Sequence, residues 1–241
     1  MFFFSWFTMI RLVHLFYILA AVLPAVFLLR YIYRHDTVER EPPSLLLSLL
    51  LMGVLSALCA GVLEAIGERI LPHFVNPSSP FYTTALAFLV VAAVEEGMKF
   101  LFLKRRTWRD PNFNYRFDGI VYAVFVSLGF AAYENIQYVF HYGLSVALPR
   151  ALLAVPGHLG FSVFMGLFYG RARLQETCGH SPKRSLWCAY LSAVALHGFY
   201  DACAMRGTAL ATVLFIGFVL VMYRVVYRLI QRESATDTPV A

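Results

Sequence analysis

The residues able to do chemistry lie inside segments that are otherwise apolar. In AAVEEGMKFLF, residues 92–102, Glu95, Glu96 and Lys99 interrupt a run that would dissolve in hydrocarbon. Glu134 lies in FAAYEN, His158 follows Pro156-Gly157, and His197 precedes Asp201 by four residues in HGFYD. At helical spacing Glu95 and Lys99 share a face, as do His197 and Asp201, whereas Glu96 points about 100° away from Glu95. Each such charge costs about 2.5–3.5 kcal/mol at a bilayer centre, so the set must face inward, toward one another. Together they are the materials of water activation. A carboxylate takes a proton, lysine holds a neighbouring carboxylate ionised, and histidine binds a metal or an oxyanion. Zinc accepts imidazole nitrogen and carboxylate oxygen and keeps a position for water. HExxH is absent, so a metal site has to be assembled across helices. His158, His197 and Glu134 are the expected zinc ligands, with Asp201 orienting His197 and Glu96 as base. Glu96 is preferred over Glu95 because Glu95 shares its face with Lys99. The opposing scheme keeps the same residues without metal, with histidine on the oxyanion and glutamate alone polarising water.

The elements that must position these groups follow from composition. Of 241 residues, 60% are hydrophobic and 14% charged, which excludes a soluble globular domain. Apolar segments at roughly 12–32, 44–66, 82–103, 119–140, 149–170, 186–205 and 208–229 predict an all-α polytopic membrane protein. Its bundle of about seven transmembrane helices surrounds a polar intramembrane catalytic cavity. Loop charge sets the orientation. Arg30, Arg34, Arg40, Lys104, Arg105, Arg106, Arg109, Arg116, Arg171, Arg173, Lys183, Arg184, Arg224, Arg228 and Arg232 fall on one side. Arg11, Arg69, Arg150 and Arg206 fall on the other. The positive-inside rule then places the N-terminus out and the C-terminus in. Counted at 1.5 Å per residue, the polar groups of four spans reach one belt, roughly 14–24 Å from the cytoplasmic ends, with water reaching it from the outer side. A single domain occupies 1–232, and the polar tail 233–241 is expected to be disordered. The net charge of +6 resides in short loops and does not indicate nucleic acid. Cys59, Cys178, Cys188 and Cys203 show no paired spacing and read as free thiols.

In order along residues 92–201, Glu95-Glu96-x-x-Lys99, the DG…GF…EN segment from Asp118 to Asn135, Pro156-x-His158 with Gly166, and His197-x-x-x-Asp201 resemble the four motifs of the PrsW family of intramembrane proteases. That family is distantly similar to the CAAX prenyl proteases and their bacterial relatives. In those, histidine generally stands where this chain has Glu134 and asparagine where it has Asp201, which favours PrsW and disfavours prenylated peptides as substrate. The resemblance implies an endopeptidase of the bacterial cytoplasmic membrane, classed as a metallopeptidase, that cuts membrane-anchored, single-span proteins, exemplified by the first cut in an anti-sigma factor. It implies catalytic roles for Glu95, Glu96, Lys99, Glu134, His197 and Asp201 among membrane lipid.

Two other classes use similar residues. A proton- or ion-coupled transporter also carries intramembrane acids and histidines, although no internal repeat is present. A non-catalytic scaffold would retain the pocket without activity. Glu64 and Glu68 read as snorkelling near the outer end of the second span, and Arg150 as an interfacial anchor. Asp118 reads as the cap of the fourth span and Asn135 as a helix-to-helix hydrogen-bond donor.

Overall fold

The computed structural model describes residues 2–240, with side chains from Arg11 onward. Among the described residues the chain is all-helical apart from one isolated β-bridge. Its long helices are α1 (Phe2–His35), α2 (Pro43–Ile70), α3 (Ala93–Thr107), α4 (Asp118–Tyr142), α5 (Val155–Thr177), α6 (Lys183–Met205) and α7 (Ala209–Ala235). Their ends follow local chemistry. Pro43 occupies the first turn of α2, where its missing N–H costs nothing. Gly143, at φ 84°, ends α4 by adopting a backbone that side chains resist. The Thr208 side chain accepts from the Ala211 N–H to cap α7, satisfying a donor that the first turn leaves open.

Five helical segments are long and apolar enough to cross a membrane: 11–35, 43–73, 118–142, 144–177 and 209–235. The protein is a multi-pass membrane protein. The two remaining long helical runs, 82–107 and Lys183–Met205, are the ones that carry Glu95, Glu96, Lys99, His197 and Asp201. Exposed Leu47, Leu51, Leu55, Leu58 and Val62 on α2, with Leu210, Val213, Leu220 and Val221 on α7, give the apolar exterior that lipid covers.

α4 is the central helix, and every residue from 118 to 131 is buried. Close backbone approach seats it. A Cβ at Gly166 on α5 would lie 2.5 Å from the Gly119 carbonyl oxygen, and one at Gly129 would lie 2.4 Å from the Leu50 carbonyl oxygen on α2. Only glycine permits these crossings, which is the small-xxx-small logic of membrane helix contacts. Asn135 Nδ2 donates to the Ala21 carbonyl at 3.1 Å, tying α4 to α1 as its type suggested.

Two π-helical stretches widen the backbone, Leu86–Ala92 just before α3 and Arg150–Ala154 just before α5. Each lies within about one turn of a site residue, Glu95 and His158 respectively. Such bulges rotate the downstream face relative to the upstream one.

The bundle end that carries Lys104–Arg106 is closed by polar links. Asp118 does not cap its own helix: it accepts from the upstream N–H groups of Asn114 (3.1 Å) and Tyr115 (2.7 Å). Asp237 takes the Phe117 N–H at 2.9 Å. The polar tail makes contacts at this end. α7 continues to Ala235, Arg116 pairs with Glu233 at 2.8 Å, and Val240, 1% exposed, donates its N–H to Asn114. The pair is buried on its glutamate side only, and Val240 adds a buried apolar side chain.

Candidate active site

α3, α4, α5 and α6 bring Glu95, Glu96, Lys99, Glu134, His158, His197 and Asp201 into one cluster. Lys99 is its hub. The Nζ lies 3.0 Å from Glu95 Oε2, 2.8 Å from Glu96 Oε1 and 3.1 Å from His158 Nδ1. It also sits 4.0 Å from the Phe130 ring centroid. An ammonium has three donors and no acceptor, so His158 Nδ1 accepts and its proton resides on Nε2. That Nε2–H meets Glu134 Oε2 at 3.0 Å, and the same carboxylate pairs with Arg150 Nη2 at 2.9 Å. The tautomer of His158 is therefore set by lysine on one side and glutamate on the other.

His197 is held similarly. Nδ1 lies 2.9 Å from Glu96 Oε1 and Nε2 lies 3.3 Å from Asp201 Oδ2, while Phe161 stacks on the ring at 4.8 Å and 16°. Both ring nitrogens thus face a carboxylate oxygen. The centre of the cluster is buried, with Lys99 1% exposed and Glu96 0%, so the pairs there act where water screens little.

One wall of the cluster opens into a cavity of about 680 Å³, lined by Glu95, Glu134, Arg150, His158, His197, Tyr200 and Asp201, and on the α2 side by Ala57, Gly61, Glu64 and Glu68. Glu95 reaches this space; Glu96 lies behind it, with Oε2 buried and unpartnered. The premise that Lys99 belongs to Glu95 alone does not hold, since the long lysine side chain bridges both carboxylates. The ligand atoms that converge are those of Glu95, Glu96 and His197, all within 4.8 Å of one another. Glu134 and His158, expected to join His197 as ligands, are hydrogen-bonded to each other and to Arg150 and Lys99.

Two residues of the site were read from sequence as peripheral. Arg150 is not only an anchor: besides Glu134 it binds Asn135 Oδ1 through Nε at 2.5 Å and lies 3.8 Å over the Tyr138 ring. Its signal was being one of four basic residues on the sparsely charged side. Glu64 lines the cavity, with Oε1 buried and unpartnered, so snorkelling does not describe it. Phe161 and Phe130, which pack on His197 and Lys99, had no signal beyond apolar type.

The fold and site define a polytopic membrane protein with a buried carboxylate, imidazole and ammonium cluster at the floor of a cavity. The model of the PrsW family, described as an intramembrane metalloprotease family, matches residues 41–229. This chain belongs to that family. It is 38% identical over 184 residues to a protein named Protease PrsW from Geobacillus kaustophilus, covering 76% of each chain. It is 30% identical over 213 residues to the Clostridioides difficile protein of that name, covering 86% of this chain and 87% of the relative. With the Bacillus subtilis protein of that name it shares 33% over 184 residues, 76% of this chain and 79% of the relative. No solved structure matches.

Proposed function

We propose that the protein is an intramembrane endopeptidase that hydrolyses peptide bonds of membrane-anchored, single-span proteins of a bacterial cytoplasmic membrane. In this reading seven helices span the bilayer with the N-terminus out, and the cavity opens toward the outer side. The observation that carries the reading is the placement of Glu95 and His197 at the cavity wall with Lys99 and Glu96 fixed behind them.

Glu95 accepts a proton from water as the oxygen attacks the scissile carbonyl. Lys99 orients that carboxylate by holding one of its oxygens, leaving the other for water. Arg150 Nη1 is not committed to Glu134 or Asn135, and from the cavity wall it supplies positive charge where the oxyanion develops. The proton on Glu95 then passes to the leaving amine, so water ends as the new carboxyl oxygen and an amine hydrogen. His197, held between Glu96 and Asp201, keeps the second carboxylate in place.

The donor set fits a resident zinc ion. Two carboxylates and an imidazole converge, and Glu96 Oε2 is a buried oxygen with no partner. Glu96 and His197 would hold the ion, with Glu95 left beside it as base, and the ion would supply Lewis-acid polarisation at that point.

The test is purified protein in liposomes with single-span reporter substrates, assayed with and without a strong chelator. Site-directed cutting is expected, lost by about 10²- to 10⁴-fold in Glu95→Gln. Wild-type rates in Glu95→Gln overturn the base assignment, and the absence of cutting across the reporter panel by protein that retains its fold overturns proteolysis. Orientation is checked separately with single cysteines at Ser79 and Asn112 in a background free of native cysteines. An impermeant reagent should reach the first from outside and the second from inside.

A further inference from the structure

The acids around the cavity outnumber the cations, and those without an ion-pair partner among the described residues lie on one wall. Glu134 has Arg150 and His158, Glu95 and Glu96 share Lys99, and Asp201 faces His197. Glu64 and Glu68, one turn apart on α2, also line the cavity, and among the described residues no cationic side chain lies within ion-pair distance of either. Glu64 is half-buried, and its Oε1 is cut off from solvent without accepting a hydrogen bond. A carboxylate oxygen in that position is costly unless a donor reaches it, and the protein does not supply one.

The approach to Glu64 leaves room for a long side chain. Ala57, Gly61, Glu64 and Glu68 follow one another on the cavity-facing side of α2. Two of these are small, and a Cβ built on Gly61 meets nothing within 4 Å. The slot leads past small residues to an acid: room for an aliphatic stem, then an acceptor for its charged head, which is how lysine and arginine bury.

Resting on the proteolytic reading above, we infer that Glu64, with Glu68 beside it, is a specificity subsite that takes a lysine or arginine side chain of the substrate close to the scissile bond. The cationic head gives Glu64 the donor that the described residues do not supply. Substrates without it leave Glu64 unpaired in a site they have closed to water, and discrimination arises from that penalty as much as from the new bond.

The experiment uses single-span reporters identical except for one position, carrying Lys, Leu or Glu, walked through the residues flanking the cut mapped by mass spectrometry. The readout is the ratio of kcat/KM for Lys over Leu at each position. Wild type is expected to prefer Lys by about 10- to 100-fold at one position, the range of a hydrogen bond to a charged group. Glu64→Gln should collapse that ratio toward one, Glu64→Asp should keep part of it, and Glu64→Lys should favour the Glu reporter. Equal ratios in wild type and Glu64→Gln overturn the subsite, as does loss of bound metal on Glu64→Gln, which would make Glu64 a metal donor. If no reporter is cut, fluorescence anisotropy with the same labelled peptides separates the two readings. Lys-dependent binding that Glu64→Gln abolishes upholds the subsite while proteolysis fails, and charge-independent binding overturns the subsite.

Discussion

Gly166→Ala tests whether the crossing of α4 and α5 sets the chemistry at a distance. The added Cβ would lie 2.5 Å from both the Gly119 carbonyl oxygen and the Ile120 Cα, against 3.4 Å or more for ordinary contact. Both obstacles are backbone, so no side chain can swing aside and the helices must part by about 1 Å. His158 lies eight residues earlier on the same helix, about 12 Å along its axis. Its Nε2 is 3.0 Å from Glu134 on α4 and its Nδ1 is 3.1 Å from Lys99. Parting by about 1 Å takes the first of these beyond hydrogen-bond range. The expected stability loss is about 1–3 kcal/mol, and a misplacement of that size costs up to about 10²-fold in turnover. Thermal unfolding in detergent and reporter cleavage measure the two effects on one preparation. Gly217→Ala is the control: its Cβ meets nothing within 4 Å, and removing a helical glycine should leave stability unchanged or raised by up to about 1 kcal/mol. Wild-type melting and cleavage in Gly166→Ala would refute the coupling between the crossing and the site.

Lys99→Met strips the ammonium from two buried carboxylates and should cost about 3–5 kcal/mol; adding Glu96→Gln removes one of the orphaned charges, so the double variant should melt above Lys99→Met, and equal melting would exclude charge as the cause. Metal analysis of purified protein should find that His197→Ala loses bound zinc while His158→Ala keeps it, because only the first contributes to the convergent donor group; the opposite result would restore His158 as a ligand. At the basic end, burial pushes the Asp36 carboxyl up to about 6 and the Glu41 carboxyl up to about 7, so the folded state binds more protons than the unfolded chain over the range from about 4 to about 7. Stability from these groups is thus greatest at low pH and falls as pH rises through 6 and 7. Melting temperature should drop between about pH 4.5 and 7 and level off above that. Glu41→Gln, which retains an acceptor for the Tyr122 hydroxyl that now meets Glu41 at 2.7 Å, should flatten the drop; an unchanged profile would place the effect elsewhere.

The membrane class and the inward-facing set were legible in the sequence because both follow from energies too large for context to reverse. Long apolar helices such as those over 43–73 and 209–235 cannot be solvated otherwise, and Glu95, Glu96, Lys99, Glu134, His197 and Asp201 cannot face lipid. Helical spacing even paired His197 with Asp201 correctly, an i,i+4 relation that backbone geometry alone enforces. What spacing could not reach were the contacts between helices. That Lys99 serves both glutamates and His158, that Glu134 is claimed by His158 and Arg150, and that Glu95 and not Glu96 reaches the cavity depend on the rotation of α3 against α5 and α6. The π-helical stretches before Glu95 and His158 change that rotation, and an ideal 3.6-residue period carries no record of them. Glu64 escaped for a related reason. Along the chain it is one acid near the end of a span, and only the packing of α2 against α3 and α4 turns it toward the site instead of toward water. The sequence determined which residues had to leave the lipid; the tertiary structure decided which of them meet, because partners on different helices are chosen by crossing geometry and not by distance along the chain.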